Sequence, residues 1–363
     1  MRNFGILSLS LDHENNYINE VAKYGHQHQF NVFHFVPSSY NPLTNKVIGK
    51  KFVPNLHDWV EAEFPIPSIL YDRCFYQDDA HSKQCSNIVQ WLKGNKNIHF
   101  IGYGLPDKWK LYQVLRKSKL SAYIPETKLL HAAEELPFNQ MNPLIIKPIN
   151  GSGGNGLYFI KKDKNGILVK TDKKDKSVEH TFSETTNFYR WLKQLLKKKT
   201  YLVQEYLPLY NQVKQPFDIR SLVQKQPSQK WELVGRGIRL GEPDRIISNL
   251  SAGASILPFD DWLQQTNFKW KNFLKTEIDE ILAMLPVILE EDFPTLFEIG
   301  IDIGITQSGS LWILDVNSKP GRKVITTAYP ELSEKLYKAP ILYAATLADE
   351  KRRIHEDAKD ISY

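Results

Sequence analysis

Asp302, Asp315 and Asn317 carry hard oxygen donors at a spacing that could hold a cation. Asp302 closes the apolar run Phe297-Glu298-Ile299-Gly300-Ile301-Asp302, and the other two lie in Leu311-Trp312-Ile313-Leu314-Asp315-Val316-Asn317. The polar stretch Thr306-Gln307-Ser308-Gly309-Ser310 between the runs reads as the turn of a β-hairpin. Asp315 and Asn317, two apart on one strand, share a face. Three such donors suit Mg²⁺, which takes a few protein oxygens and leaves the rest of its octahedron to water and phosphate. A plain hairpin with solvated acids is the competing reading. It fares worse, because a charge inside an apolar run is costly without a partner. The set therefore predicts a metal–nucleotide complex.

Other residues could handle the phosphates. Gly151-Ser152-Gly153-Gly154-Asn155-Gly156 matches G-x-G-x-x-G at Gly151, Gly153 and Gly156. A dinucleotide fingerprint needs a helix after it, but here the strand-like Leu157-Tyr158-Phe159-Ile160 follows. A P-loop is excluded because no Gly-Lys-Ser/Thr ends the run. What remains is a mobile turn or a hairpin loop whose backbone N–H groups fold over phosphate. Four glycines and a serine in six residues favour the phosphate lid. Lys147 stands in the apolar strand just before it, where an ammonium needs an anion. Lys108, at the start of a predicted helix, offers a second ammonium or is a surface residue. Tyr201-Leu202-Val203-Gln204-Glu205-Tyr206-Leu207-Pro208 is a strand ending at proline. Gln204, Glu205, Tyr206 and Leu207 could form a hinge that reads an adenine edge, although plain core is the commoner role for such a strand.

These residues need a frame. Strand signals at Phe4–Leu9, Asn31–Val36, Ser68–Cys74 and Ile98–Tyr103 alternate with helical spacing at Tyr17–His28 and Ala80–Lys93. That rhythm predicts a small, mostly parallel α/β domain, with Asn41–Asn55 as an inserted hairpin. Beyond it come a helix over Asp107–Leu120, the extended connector Ile124–Thr127, and strands at Leu144–Lys147, Leu157–Lys161 and Gly166–Lys170. A basic helix over Thr185–Lys199 precedes the Tyr201–Tyr206 strand. Antiparallel strands at Asp218–Val223 and Trp231–Leu240, a long helix over Thr276–Leu289, the hairpin, and a helix over Ile341–Ala348 complete the chain.

At 363 residues the chain is too long for one ordinary core. Its 42% hydrophobic and 24% charged residues are those of a soluble globular protein. Net charge is only +6, with 47 Lys+Arg against 41 Asp+Glu, which does not argue for a nucleic-acid partner. The lysines of Lys161–Lys176 and Lys193–Lys199 read as solvated surfaces that could draw an acidic substrate. The two cysteines, Cys74 and Cys85, form no CxxC pair, which favours a reducing, cytoplasmic setting. No apolar run approaches a membrane span, and the N-terminal run meets Asp12 too early for a signal peptide.

Lys108, Lys147, the Gly151–Gly156 loop, Gln204–Leu207, Asp218-Ile219-Arg220, Ser248-Asn249-Leu250 with Gly253, and Asp302…Asp315-Val316-Asn317-Ser318-Lys319-Pro320-Gly321 occur in this order. The set resembles the ATP-grasp superfamily, in its RimK-like and glutathione-synthase-like branch. Within that branch it resembles the YheC/YheD family of endospore coat-associated proteins. The resemblance implies two α+β subdomains that clasp ATP after a small α/β pre-ATP-grasp domain. The expected divisions are 1–105, 106–206, 207–348 and a tail at 349–363. It assigns the two lysines to phosphates, Gly151, Ser152, Gly153, Gly154 and Gly156 to the lid, Gln204–Leu207 to adenine, and Asp302, Asp315 and Asn317 to Mg²⁺. It implies that a carboxylate is activated as an acyl phosphate and attacked by an amine or thiol. Arg220, with Arg239 or Arg236, would stabilise the charge that builds up, and Arg322 would clamp a substrate carboxylate. Asp315 stands where many members have Glu, and Ser251-Ala252-Gly253 replaces a more basic segment.

The leading expectation is thus an ATP- and Mg²⁺-dependent carboxylate–amine ligase acting on a small acid and an amino acid or peptide. A spore-coat protein that binds ATP without turnover, with coat proteins as partners, is the expectation from another class. An NAD-dependent oxidoreductase would rest on the glycine spacing alone.

Overall fold

A computed structural model describes residues 1–360 except 137–141, 152–153, 174–175, 249–252 and 267–268, with side chains through residue 350. Ser152, Gly153, Asn249, Leu250, Ser251 and Ala252 therefore lie outside the described residues.

The first layer is a seven-stranded sheet built from β1 (Arg2–Leu7), β2 (Phe30–Phe35), β3 (Tyr40–Asn41), β4 (Lys46–Val53), β5 (Asp58–Pro65), β6 (Ile69–Asp72) and β7 (His99–Phe100). β1 runs parallel to β2 and β6, and β6 runs parallel to β7, as the βαβ rhythm predicts. The crossovers use α1 (Asn15–Gln27) and α2 (Ala80–Lys93). Asp79 caps α2 by accepting from Ser82 N–H, a contact that supports a helix start by about 1 kcal/mol. The inserted hairpin is longer than expected, because β4 pairs along its length with β5, out to Pro65.

The second sheet has the order β12-β11-β10-β9-β13-β8. Its strands are β8 (Thr127–Leu130), β9 (Leu144–Pro148), β10 (Tyr158–Asp163), β11 (Gly166–Asp172), β12 (Ser177–Phe182) and β13 (Tyr201–Glu205). α3 (Lys108–Leu115) precedes it and α4 (Thr185–Leu196) packs on it. β8 continues the predicted connector as an edge strand on β13, and β12 pairs with β11 where no strand is expected. α3 ends five residues before Leu120, where Ser118 Oγ bonds the Leu115 carbonyl and competes with the helix.

The third sheet, β16-β15-β14-β17-β18, carries the hairpin. Its strands are β14 (Phe217–Lys225), β15 (Trp231–Leu240), β16 (Ser255–Pro258), β17 (Glu298–Ile305) and β18 (Leu311–Asn317), with helices α5 (Phe259–Gln265), α6 (Lys271–Asp292), α7 (Lys323–Ala328) and α8 (Ser333–Asp360). On β17 the odd positions Ile299, Ile301, Ile303 and Ile305 are fully buried in the cluster that holds Ile278, Ile281, Leu285 and Leu289 of α6. Each such side chain contributes roughly 1.5–3 kcal/mol, which fixes the register and sends Gly300 and Asp302 to the opposite face. α6 and α8 each run through a proline, Pro286 and Pro340, and exceed the predicted helices at both ends. Burial of Leu285, Leu289, Leu336 and Ile341 around those prolines supplies the compensation. Among the described residues no helix is long and apolar enough to cross a membrane.

Candidate nucleotide and metal site

Asp302 on β17 is the register partner of Asp315 on β18 and also of Arg220 on β14. Directly opposed residues on antiparallel strands present their side chains to one face, so the three form a row. The neighbouring row adds Asp218 opposite Arg239. The face is therefore a charged surface laid over an isoleucine core.

A β-bulge sets the phase of β18. Leu311 and Ile313 are core residues, and strict alternation from them would send Asp315 and Asn317 into the core too. Pairing jumps from Asp302↔Asp315 to Ile303↔Ile313, leaving Leu314 as the extra residue. Val316 then takes the core position, and Asp315 and Asn317 face Asp302. Bulges often re-aim side chains at sites in this way. The displaced Leu314 carbonyl accepts from Lys147 Nζ at 3.2 Å.

Both predicted lysines converge here. Lys108 Nζ donates to Asp315 Oδ1, and Asn317 Nδ2 donates to Asp315 Oδ2 at 3.2 Å. Asp107 starts α3 by accepting from Trp109 and Lys110 N–H, and Lys108 N–H donates to the Ile149 carbonyl at 3.1 Å, at the entrance of the glycine loop. Burial, reinforced by Lys108, pulls the Lys147 ammonium down to about 8. Burial pushes the Asp315 carboxyl up, but Lys108 and Lys147 outweigh it and hold it below the usual range.

The arginines surround Asp302. Arg239 Nε and Nη2 bind Asp218 at 2.7 and 2.6 Å, and Nη2 also lies 2.9 Å from Asp302 Oδ2. Arg220 Nε lies 2.9 Å from Asp302 Oδ1, too poorly aligned for a hydrogen bond, so this buried oxygen has no hydrogen-bond donor. Burial raises the Asp302 carboxyl against the pull of Arg220 and Arg239. Gly300 permits the approach: a Cβ there would lie 2.7 Å from Pro320 and 2.8 Å from Arg220 Nη1. Arg236 points the other way, paired with Asp279 and stacked on Phe259. Of the two arginines considered on β15, only Arg239 reaches the site.

A shallow cleft open to solvent adjoins this face, lined by Lys108, Lys147, Tyr112, Thr127, Gln204 and Leu314 among others. Gln204 Nε2 donates to Thr127 Oγ1 at 2.5 Å. Glu205, Tyr206 and Leu207 are outside its lining, and Tyr206 N–H is taken by the Pro143 carbonyl. The glycine loop joins antiparallel β9 and β10, as expected of a hairpin. Gly151, Gly154 and Gly156 have φ of 135°, 72° and 77°, a region open mainly to glycine.

Arg322 is elsewhere. Its Nη2 donates to Glu298 at 2.8–2.9 Å and to Tyr71, within a buried network that includes Arg73 and Glu14. This places it between the first layer and β17, with a protein carboxylate already in its grip. Glu298, Arg73 and Asp218 have no role assigned from sequence; Glu298 and Asp218, acids inside apolar strands, carry a local signal, but their partners come from distant segments.

The donor set fits a hard cation. Two carboxylates and an amide are oxygen donors, and Asp302 Oδ1 is a buried acceptor without a donor. Among the described residues no group of three or more His, Cys, Asp or Glu side chains is placed to hold a metal ion, so a cation here would rest on two carboxylates and the Asn317 amide oxygen, with the remaining positions left to water and phosphate.

The architecture is that of ATP-grasp proteins. The Thermotoga maritima N5-carboxyaminoimidazole ribonucleotide synthetase superposes with TM-score 0.53 at 15% identity, covering 94% of this chain and 76% of that one. The ATP-grasp ligase PsnB, complexed with minimal precursor, gives 0.54 at 13% identity over 94% and 99%. A Chryseobacterium gregarium RiPP-associated ATP-grasp ligase, in complex with ADP and a leader and core peptide, gives 0.52 at 14% over 94% and 96%. Residues 97–347 match the family described as YheC/D like ATP-grasp, and the chain belongs to it. Endospore coat-associated protein YheC of Bacillus subtilis (strain 168) is 37% identical over 345 residues, 94% of each chain. YheD of the same organism is 23% identical over 276 residues, 74% of this chain and 60% of that protein.

Proposed function

We propose that this protein is an ATP-dependent carboxylate–amine ligase that binds Mg²⁺ with its nucleotide. The observation that carries the reading is the convergence of Lys108 and Lys147 on the Asp302–Asp315–Asn317 face beside one cleft. Adenine would enter the cleft near Thr127 and Gln204, and the triphosphate would extend under the Gly151–Gly156 loop to the lysines. Asp302, Asp315 and Asn317 would hold Mg²⁺, which when bound would offset charge on the transferred phosphoryl group.

A substrate carboxylate oxygen attacks the γ-phosphorus, the bond to the β-phosphate oxygen breaks, and ADP leaves. The amine nitrogen then attacks the acyl carbon, a C–N bond forms, phosphate departs, and the nitrogen gives up its proton. Arg220 and Arg239, fixed by Asp302 and Asp218, supply positive charge where oxyanions build. The committed contacts of Arg322 make it a support for β17, so the substrate clamp is left to other groups. The Asp302→Ala/Asp315→Ala double variant should lose the thermal stabilisation that Mg-ATP gives the wild type. An equal melting shift in the two proteins would refute the assignment.

The likeness to a coat-associated protein favours a second reading, a nucleotide-binding coat component without turnover. ADP release across a panel of amino acids and peptides separates them. Stoichiometric, acceptor-dependent release supports the ligase, and tight ATP binding with no release supports the coat role.

A further inference from the structure

We infer that Lys108 gates the divalent-cation site, so that the site accepts a metal ion only together with, or after, the triphosphate. The inference rests on the nucleotide-site reading above and adds an order of binding to it.

Asp315 is central to the donor set, yet both its oxygens are engaged, Oδ1 by Lys108 and Oδ2 by Asn317. Asp302 Oδ2 lies 2.9 Å from Arg239 Nη2. The charge balance of the cleft points the same way. The carboxylates of Asp218, Asp302 and Asp315 face Arg220, Arg239, Lys108 and Lys147, so cations outnumber anions by one. A bare divalent ion would enter a site with no negative excess and would have to displace an ammonium to reach Asp315. A triphosphate reverses the balance: it supplies anionic oxygens that both lysines can take. The Lys108 backbone is fixed by its bond to the Ile149 carbonyl, where the glycine loop begins, so its side chain can exchange Asp315 for phosphate without moving α3. Asp315 Oδ1 is then released for the metal. Lys147 differs, because it bonds the Leu314 carbonyl and no ligand oxygen.

The test is a Mn²⁺ titration of the full chain, with and without a non-hydrolysable ATP analogue, read as the loss of the free-ion EPR signal beyond that in protein-free samples holding the same analogue. Wild type should take up Mn²⁺ only when the analogue is present. Lys108→Gln should gain nucleotide-free Mn²⁺ affinity by about tenfold or more, the scale of a lost charge-assisted contact. Lys147→Gln, which removes the same charge from the cleft but frees no carboxylate, should gain far less. Lys108→Met repeats the test with an apolar tip, and a circular-dichroism melt confirms that each variant is folded. Equal Mn²⁺ binding by wild type with and without the analogue would overturn the gate. So would equal gains in the Lys108 and Lys147 variants, which would reduce the effect to general electrostatics. No Mn²⁺ uptake by wild type even with the analogue bound would instead remove the metal–nucleotide reading itself.

Discussion

Glu298 offers a strong test of how the first layer is held against the hairpin sheet. It is 2% exposed and accepts from Tyr71, Arg73, Arg322 and Gln224. Arg73 also binds Glu14 through two bonds of 2.8 Å, so two guanidiniums balance two carboxylates in one buried cluster. Removing one member leaves a buried charge uncompensated, which costs about 3–5 kcal/mol. Glu298→Gln and Arg322→Met should each lower unfolding stability by that amount. The double variant removes one charge of each sign and leaves the Arg73–Glu14 pair neutral. Its cost should therefore fall short of the sum of the singles by about 2 kcal/mol. The assay is urea unfolding followed by tryptophan fluorescence, with midpoints and slopes compared across the four proteins. Additive losses, or single losses below about 1 kcal/mol, would show that the network is not the coupled buried cluster described. The same cluster has a pH signature. Burial pushes the Glu14 carboxyl up, but Arg73 outweighs it and holds it at about 2 against an ordinary 4.5. Its contribution is complete above pH 4.5 and is lost as pH falls toward 2.

Other outcomes follow from single residues. Burial, with Lys50 nearby, pulls the His34 imidazole from 6.5 to about 4. A lowered folded-state value means stability that is present above pH 6.5 and lost as pH falls toward 4, by up to about 3 kcal/mol. His34→Gln should abolish that part of the slope in unfolding experiments at stepped pH. Gly166, at φ 130°, has the Phe182 carbonyl oxygen 2.3 Å from where a Cβ would sit. Gly166→Ala should cost at least about 1–3 kcal/mol and raise amide exchange in β11 and β12 ahead of the rest of the chain. Equal exchange in the variant and wild type would contradict that placement.

The local elements were largely legible. Ala80–Lys93 and Trp231–Leu240 match their predicted bounds, because capping and alternation are properties of neighbours in sequence. β12 was hidden, since Ser177–Phe182 is polar and mostly solvent-facing and gains strand character only by pairing with β11. The helix expected over Thr276–Leu289 already spans Pro286 and stops short of both ends of α6, whereas the helix expected from Ile341 starts just past Pro340, because the local cost of that proline is visible and the tertiary burial that offsets it is not.

The amino-acid sequence by itself determined which groups exist and their local phase: two lysines, a glycine loop between strands, and Asp315 and Asn317 on a common face. Tertiary structure decided which face that is. The isoleucines of β17 lock its register against α6, and the bulge at Leu314 then turns Asp315 and Asn317 out of the core toward Asp302. It also decided partners: Lys108 meets Asp315 across 207 positions, and Arg322 meets Glu298 and Tyr71 instead of an open cleft. Alternation is set by covalent geometry between adjacent residues. Register, bulges and long-range ion pairs come from packing distant segments, where burying apolar surface and compensating charge must be satisfied together.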